Sequence, residues 1–322
     1  MILDIVRLIG GLALILYGAN WLTDGASAIA RRLGVSDLVV GLTIVALGTS
    51  TPELVISILA AVGGNAPMAV GNVVGSNIFN VLAIIGIVAI VKPIPICRSV
   101  MGEQLPWVLL TAAIVVATGF SPWLDGTPAV VSRVEGIILL LLLVMFMRRT
   151  LLSARENPDV DGEAVGNARQ RKVWLACLMI AGGLGALIFG GDIFVDGASA
   201  IASLMGVSDA VIGLTIVAAG TSLPELATSV VAARKGSPDM AVGNVIGSCV
   251  LNIVLILGTA ATITPLSFGG VGPLDMAVLG LSALLFWLTA RYGGTRIITR
   301  LEGVLLFAVY LGYIAVLVLQ NS

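Results

Sequence analysis

Residues 24–86 realign without a gap onto residues 196–258, at a constant offset of 172, and 39 of the 63 paired positions are identical. A chain that contains itself twice must fold into two like parts, so a feature present in both copies acquires a partner. The centre of each copy is an apolar run interrupted by one glutamate: GLTIVALGTSTPEL at 41–54 and GLTIVAAGTSLPEL at 213–226. A carboxylate in such a run costs roughly 2.5–3.5 kcal/mol on membrane-insertion scales, and a residue held at that cost is by default a functional one. Glu53 and Glu225 are the first candidates, and their equivalence suggests one shared site.

Composition supplies the solvent. The chain is 58% hydrophobic and 11% charged, with a mean hydropathy of +1.09; a soluble domain carries about 25% charge, so this reads as an all-α integral membrane protein. Ten spans are expected, near 8–23, 38–62, 68–91, 104–121, 129–147, 173–191, 210–233, 239–264, 274–290 and 302–319. The first could pass for a signal peptide, but its end, Asp24-Gly25-Ala26-Ser27-Ala28-Ile29-Ala30, recurs at 196–202, which marks it as a mature helix. The net charge of −1 argues against nucleic acid. Three cysteines, Cys97, Cys177 and Cys249, are too few for a disulfide framework or a metal site, and there is no histidine.

Basic residues test the count. Assigning alternate loops to the cytoplasm puts fifteen lysines and arginines on one side, while the other receives only Arg7 and Arg133. That bias follows the positive-inside rule. It predicts both termini outside, a cytoplasmic 148–172 loop and residence in the cell (inner) membrane. Five spans separate equivalent points of the copies, so the second is expected upside down: 1–150 forms a first five-helix repeat, 151–172 a short linker and 173–322 an inverted second repeat. Inverted repeats with broken helices are an architecture of secondary transporters, with substrate held at the midplane.

Each copy offers two polar segments. In Gly-Thr-Ser-x-Pro-Glu (Thr49, Ser50, Pro52, Glu53; Thr221, Ser222, Pro224, Glu225), proline is expected to break the helix near Gly48 and Gly220. Carbonyls so freed must find partners or line a cavity. Thr49 and Ser50 precede Glu53 by four and three residues, which would place them on its helical face. In Gly-Asn-Val-x-Gly-Ser-x-x-x-Asn, Ser76 and Asn80 (Ser248 and Asn252) are four apart and share a face. Gly71 and Gly75 (Gly243 and Gly247) would permit close helix contact. Asn72 and Asn244 read either as ligands or as interhelical hydrogen-bond donors. Such oxygen donors suit Na⁺, Ca²⁺ or Mg²⁺ rather than zinc or copper. Calcium accepts six to eight oxygens in flexible geometry. Two carboxylates about 6 Å apart repel by roughly 3 kcal/mol at an effective dielectric of 20. The pair therefore calls for protons, one Ca²⁺ or at least two Na⁺, and mutual exclusion would give exchange.

The doubled GLTIVAxGTSxPEL and AVGNVxGSxxxN segments resemble the α-repeats of the cation/calcium exchanger family, in its prokaryotic sodium/calcium exchanger-like branch. The resemblance covers essentially the whole chain. It implies Ca²⁺ held by the carboxylates of Glu53 and Glu225 and the carbonyls of Thr49 and Thr221. It also implies flanking Na⁺ sites from Ser50, Ser222, Ser76, Ser248, the two threonine hydroxyls and the carbonyls of Ala46 and Ala218, with Asn80 and Asn252 beside them. The first and sixth helices would slide as a gating pair. Two departures stand out. Relatives often carry aspartate in one repeat where Asn80 and Asn252 stand here. The glutamate-histidine pair of the proton-coupled branch is replaced by Gly75-Ser76 and Gly247-Ser248, which favours sodium over protons as counter-ion; the alternative is a proton-coupled or potassium-dependent Ca²⁺ antiporter.

The resulting expectation is an antiporter of Ca²⁺ and Na⁺ in the lipid bilayer, working as a monomer without a cofactor and not an enzyme. A cation channel would need a continuous ligand-ringed pore. A hydrolase using Ser50 or Ser222 would lack a histidine base. Asp37 and Asp209, after Ser36 and Ser208, read as helix-start residues, and Asp24, Asp192 and Asp196 as acids near helix ends.

Overall fold

The computed structural model describes residues 2–124, 126–156, 172–205, 218–292 and 296–321. Its long helices are α1 (Ile2–Leu33), α2 (Asp37–Thr49), α3 (Thr51–Val62), α4 (Ala66–Val91), α5 (Val100–Gly119), α6 (Arg133–Glu156), α7 (Val173–Leu204), α8 (Leu223–Arg234), α9 (Pro238–Ile263), α10 (Pro273–Tyr292) and α11 (Arg300–Asn321). Among the described residues, eight helices are long and apolar enough to cross a membrane, or nine if the broken pair α2 and α3 forms one span. Part of the expected seventh span, 210–233, lies outside the described residues.

Three boundaries differ from expectation. α1 and α7 extend to Leu33 and Leu204, well past the apolar runs ending near 23 and 191. Hydropathy marks where a chain meets lipid, whereas small residues such as Ala26, Ala28 and Ala30 keep the backbone helical beyond it. α6 likewise continues to Glu156, into the expected linker.

The chain forms two compact units, each drawing on both halves of the sequence: Met1–Thr49 with Met147–Gly247, and Ser50–Phe146 with Ser248–Ser322. In the first unit α1 and α7 pack antiparallel along a glycine seam. Gly11 faces Gly190, Gly18 faces Gly183, and Gly25 faces Ala176. A methyl at Gly18 would sit 2.7 Å from the Gly183 carbonyl oxygen, and one at Gly183 would sit 2.6 Å from the Leu22 nitrogen. Only glycine allows this approach. Gly11, Gly18 and Gly25 become Gly183, Gly190 and Gly197 at the offset of 172, so the duplication reaches back into α1. Gly243 and Gly247 press α9 against the Leu38 and Leu42 carbonyls of α2 in the same way, as their spacing predicts, whereas among the described residues a Cβ at Gly71 would meet only Val271 at 3.7 Å and one at Gly75 nothing within 4 Å.

The second unit repeats the device. Gly86 of α4 meets Gly303 of α11, and Gly136 of α6 meets Gly258 of α9. Short antiparallel pairs accompany these contacts: β1 (Ile94–Pro95) with β4 (Ile297–Ile298), and β2 (Val130–Val131) with β3 (Leu266–Ser267). The most apolar stretches of α4 and α9 are 83% and 94% buried, against 22% for α1, α6 and α7 and 11% for α11. Leu3, Ile9, Leu141, Leu178, Phe189 and Leu305 lie exposed on those outer helices, apolar faces that a bilayer covers. The chain is a multi-pass membrane protein, and the Gly-Asn-Val-x-Gly-Ser segments ride on its most buried spans.

Candidate functional site

The site begins at a pair of helix breaks. Between α2 and α3, Ser50 has φ −81° and ψ 8°; ahead of α8, Ser222 has φ −94° and ψ 9°. Pro52 and Pro224 occupy the second position of the helices that follow. There the missing N–H is one that a helix start leaves unbonded anyway, while the ring crowds the carbonyl four residues back, on Gly48 or Gly220. The break was expected at those glycines. Both remain helical, and the backbone instead turns at the serines. Thr49 and Ser50 therefore precede Glu53 across a break rather than along one helical face. New ladders start where Leu54 and Leu226 donate to the Ser50 and Ser222 carbonyls, 3.1 Å in each case.

Burial at these positions is nearly complete. Glu53 and Glu225 are each 1% exposed, and Ala46, Thr49, Ser50, Ser76, Asn80, Ser222, Ser248 and Asn252 are no more open than 3%. Thr221 is half-buried, and the side chain of Ala218 lies outside the described residues. The first unit contains Ala46, Thr49, Ala218, Thr221, Ser222 and Glu225, together with Asn244. The second contains Ser50, Glu53, Ser76, Asn80, Ser248 and Asn252. The two carboxylates thus belong to different units.

In the second unit, the Asn72 amide donates to the Glu53 main-chain carbonyl at 3.2 Å and to Ser57 Oγ at 2.9 Å. In the first, Asn244 donates to the Glu225 carbonyl at 3.3 Å and to Ser229 Oγ at 3.0 Å. The first motif asparagine of each copy therefore ties down the backbone of that copy's glutamate. Ser57 and Ser229 had not been singled out from the sequence. Their signal was available: both are identical in the self-alignment, and each is a hydroxyl one helical turn after the glutamate. Across copies, Thr49 Oγ1 donates to Asn244 Oδ1 at 3.2 Å within the first unit, and Ser50 Oγ to Ser248 Oγ at 3.0 Å within the second.

The distal asparagines differ in kind. Asn80 is fully buried, and neither its amide nitrogen nor its oxygen has a hydrogen-bond partner among the described residues; Asn252 Oδ1 is in the same position. An orphaned buried amide is costly, and a cation beside the oxygen would offset that cost. Both sit where the helix widens into π geometry, Phe79–Ile84 and Asn252–Leu257. Such bulges are frequent at functional sites, and no periodicity in the sequence announces them. Away from the site, Ser36 caps α2 as expected, accepting from the Val39 N–H at 3.4 Å; Ser208 and Asp209 lie outside the described residues.

A family model described as sodium/calcium exchanger protein matches residues 3–151 and 175–319. The chain is 35% identical over 319 residues to the putative antiporter CaxA of Alkalimonas amylolytica, covering 97% of this chain and 98% of that one. It is 32% identical over 341 residues to the sodium/calcium exchanger MaX1 of Methanosarcina acetivorans, covering 95% and 96%. A solved structure of the sodium-calcium exchanger NCX_Mj superposes with a TM-score of 0.81 at 33% identity, covering 98% of each chain.

Proposed function

The chain belongs to the sodium/calcium exchanger family, and from that premise we propose that it is a secondary-active antiporter exchanging Ca²⁺ for Na⁺ by alternating access. The observation that carries the proposal is the doubling of one buried assembly. In each copy a membrane-buried glutamate follows a proline-bearing break, and an asparagine on the next helix fixes its backbone. In this reading the carboxylates of Glu53 and Glu225, with the Thr49 and Thr221 carbonyls, hold Ca²⁺. Ser50, Ser222, Ser76, Ser248, Asn80, Asn252, the threonine hydroxyls and the Ala46 and Ala218 carbonyls serve Na⁺.

The antiparallel seam of α1 and α7 supports two inverted five-helix repeats, ten helices in all, and the loop charges support termini outside and a cytoplasmic 148–172 loop. Sodium is the favoured counter-ion because Gly75-Ser76 and Gly247-Ser248 stand where the proton-coupled branch carries a glutamate-histidine pair, and the chain has no histidine. The reading assigns the protein no catalysis of covalent chemistry.

The test is ⁴⁵Ca²⁺ flux into proteoliposomes. Uptake should require an outward-directed Na⁺ gradient and collapse when it is dissipated. Flux that ignores sodium but follows a pH gradient would replace this reading with proton coupling, and flux needing no counter-ion would replace it with a channel.

A further inference from the structure

Asn244 is wholly buried on α9 and spends its amide on three groups. Both amide protons are used, on the Glu225 carbonyl at 3.3 Å and Ser229 Oγ at 3.0 Å, while its oxygen accepts from Thr49 Oγ1 at 3.2 Å. One side chain thus links the threonine of the first copy to the glutamate of the second, all within one compact unit. The Thr49 hydroxyl has a single proton and three acceptors within reach: the Val45 carbonyl at 3.1 Å, the Ala46 carbonyl at 3.4 Å and Asn244 Oδ1. It can serve one fully at a time. When Asn244 takes it, the proton is turned from both the Val45 and the Ala46 carbonyls, and the lone pairs of the hydroxyl oxygen face away from Asn244.

We propose that Asn244 is a positioning residue of the cation site. It fixes the first turn of α8 through the Glu225 backbone, and by accepting from the Thr49 hydroxyl it orients an oxygen that the antiporter reading assigns to sodium. Asn72 performs the first of these tasks for Glu53, at 3.2 and 2.9 Å, so the backbone clamp is duplicated with the carboxylate it serves. The competing view is interhelical adhesion alone, a common use of asparagine between membrane helices. Adhesion would set how much protein folds, whereas positioning sets how tightly the folded protein holds its ions. The inference rests on the antiporter reading for the identity of those ions.

The experiment is equilibrium ⁴⁵Ca²⁺ binding to the purified full chain in detergent, with Na⁺ as competitor and the folded fraction measured in parallel. Asn244→Ala should weaken Ca²⁺ binding about tenfold, the loss expected when buried hydrogen-bond partners are stranded. It should raise the competing Na⁺ concentration by a larger factor, because the Thr49 hydroxyl is assigned to sodium. Ser229→Ala removes one partner with little risk to folding and should weaken Ca²⁺ binding about threefold. Asn244→Asp keeps an acceptor for Thr49 but loses the donors, so it too should bind Ca²⁺ more weakly. Folded Asn244→Ala or Ser229→Ala protein with wild-type affinity would overturn the proposal in favour of adhesion. Tighter Ca²⁺ binding by Asn244→Asp would overturn it by making Asn244 itself a ligand. A wild-type protein that binds Ca²⁺ yet fails to exchange it for Na⁺ would defeat the antiporter reading instead, a distinguishable result.

Discussion

In the first copy Asn72 reaches the Glu53 carbonyl at 3.2 Å and Ser57 at 2.9 Å; in the second Asn244 reaches the Glu225 carbonyl at 3.3 Å and Ser229 at 3.0 Å. One helix end further along, the likeness stops. α3 finishes at Val62-Gly63, whereas α8 finishes at Arg234-Lys235, and Lys235 reaches over to Asp24 on α1 at 2.6 Å. The tie from asparagine to the glutamate backbone and its serine is held to one geometry in both copies, while the helix ends are adapted to whatever borders them. Identity retained through two different surroundings therefore points to shared chemistry, and divergence points to local packing or charge.

The strongest way to break this comparison is to treat the carboxylates unequally and see whether the protein does. Glu53→Gln and Glu225→Gln keep shape and hydrogen-bonding volume while removing one charge each. Calcium affinity in oxygen cages depends steeply on ligand charge, so each change should reduce ⁴⁵Ca²⁺ flux by about a hundredfold or more. Both proteins should remain folded, since neutralising a buried acid relieves a desolvation cost. A variant with near-normal flux would show that its glutamate is not a ligand and that the copies had parted in function despite their common geometry.

Next in size is the glycine seam, where the copies meet rather than merely match. Gly18→Leu forces a side chain into the Gly183 carbonyl and the Leu187 backbone. Overpacking of a tight contact costs about 1–3 kcal/mol, and a clash with backbone has little room to relax. Gly10→Leu is the control, because Gly10 is exposed and a Cβ there meets no atom of another element within 4 Å. Thermal unfolding in detergent should separate the two by several degrees. Equal stability would mean that α1 and α7 are not held by this seam.

Much of this was readable in the sequence, for reasons that can be stated. Duplication, the glutamates and the Gly-Asn-Val-x-Gly-Ser segment stand out because polar residues are conspicuous in apolar runs. That α9 approaches a neighbour closely followed from Gly243 and Gly247, since spacing alone fixes which residues share a face; that the neighbour is α2 did not. The break was misplaced by two residues because proline acts on a carbonyl four positions back, while the dihedral change that relieves the clash falls on Ser50 or Ser222 in between. The ends of α1 and α7 were underestimated because helix propensity continues past the lipid boundary. The tie from Asn244 to Thr49 was not legible at all. It joins residues 195 apart in sequence, and nothing local to either residue records it.

The smallest effect belongs to the edge that differs. Lys235 Nζ lies 2.6 Å from Asp24 Oδ1 and 3.1 Å from the Asn20 carbonyl, with the two side chains 31% and 36% exposed. At the equivalent places the other copy pairs nothing comparable, since Gly63 stands where Lys235 does. An ion pair this open to solvent contributes about 0.2–1 kcal/mol, and salt weakens it further. Lys235→Ala should therefore lower the unfolding temperature slightly at low ionic strength and leave it unchanged at high. Calcium flux should stay at the wild-type level, because the pair joins the end of α8 to the side of α1 and touches no candidate ligand. If Lys235→Ala instead cut flux as deeply as losing a carboxylate, divergence between the copies would itself carry function, and identity between them would no longer be the right guide to the site.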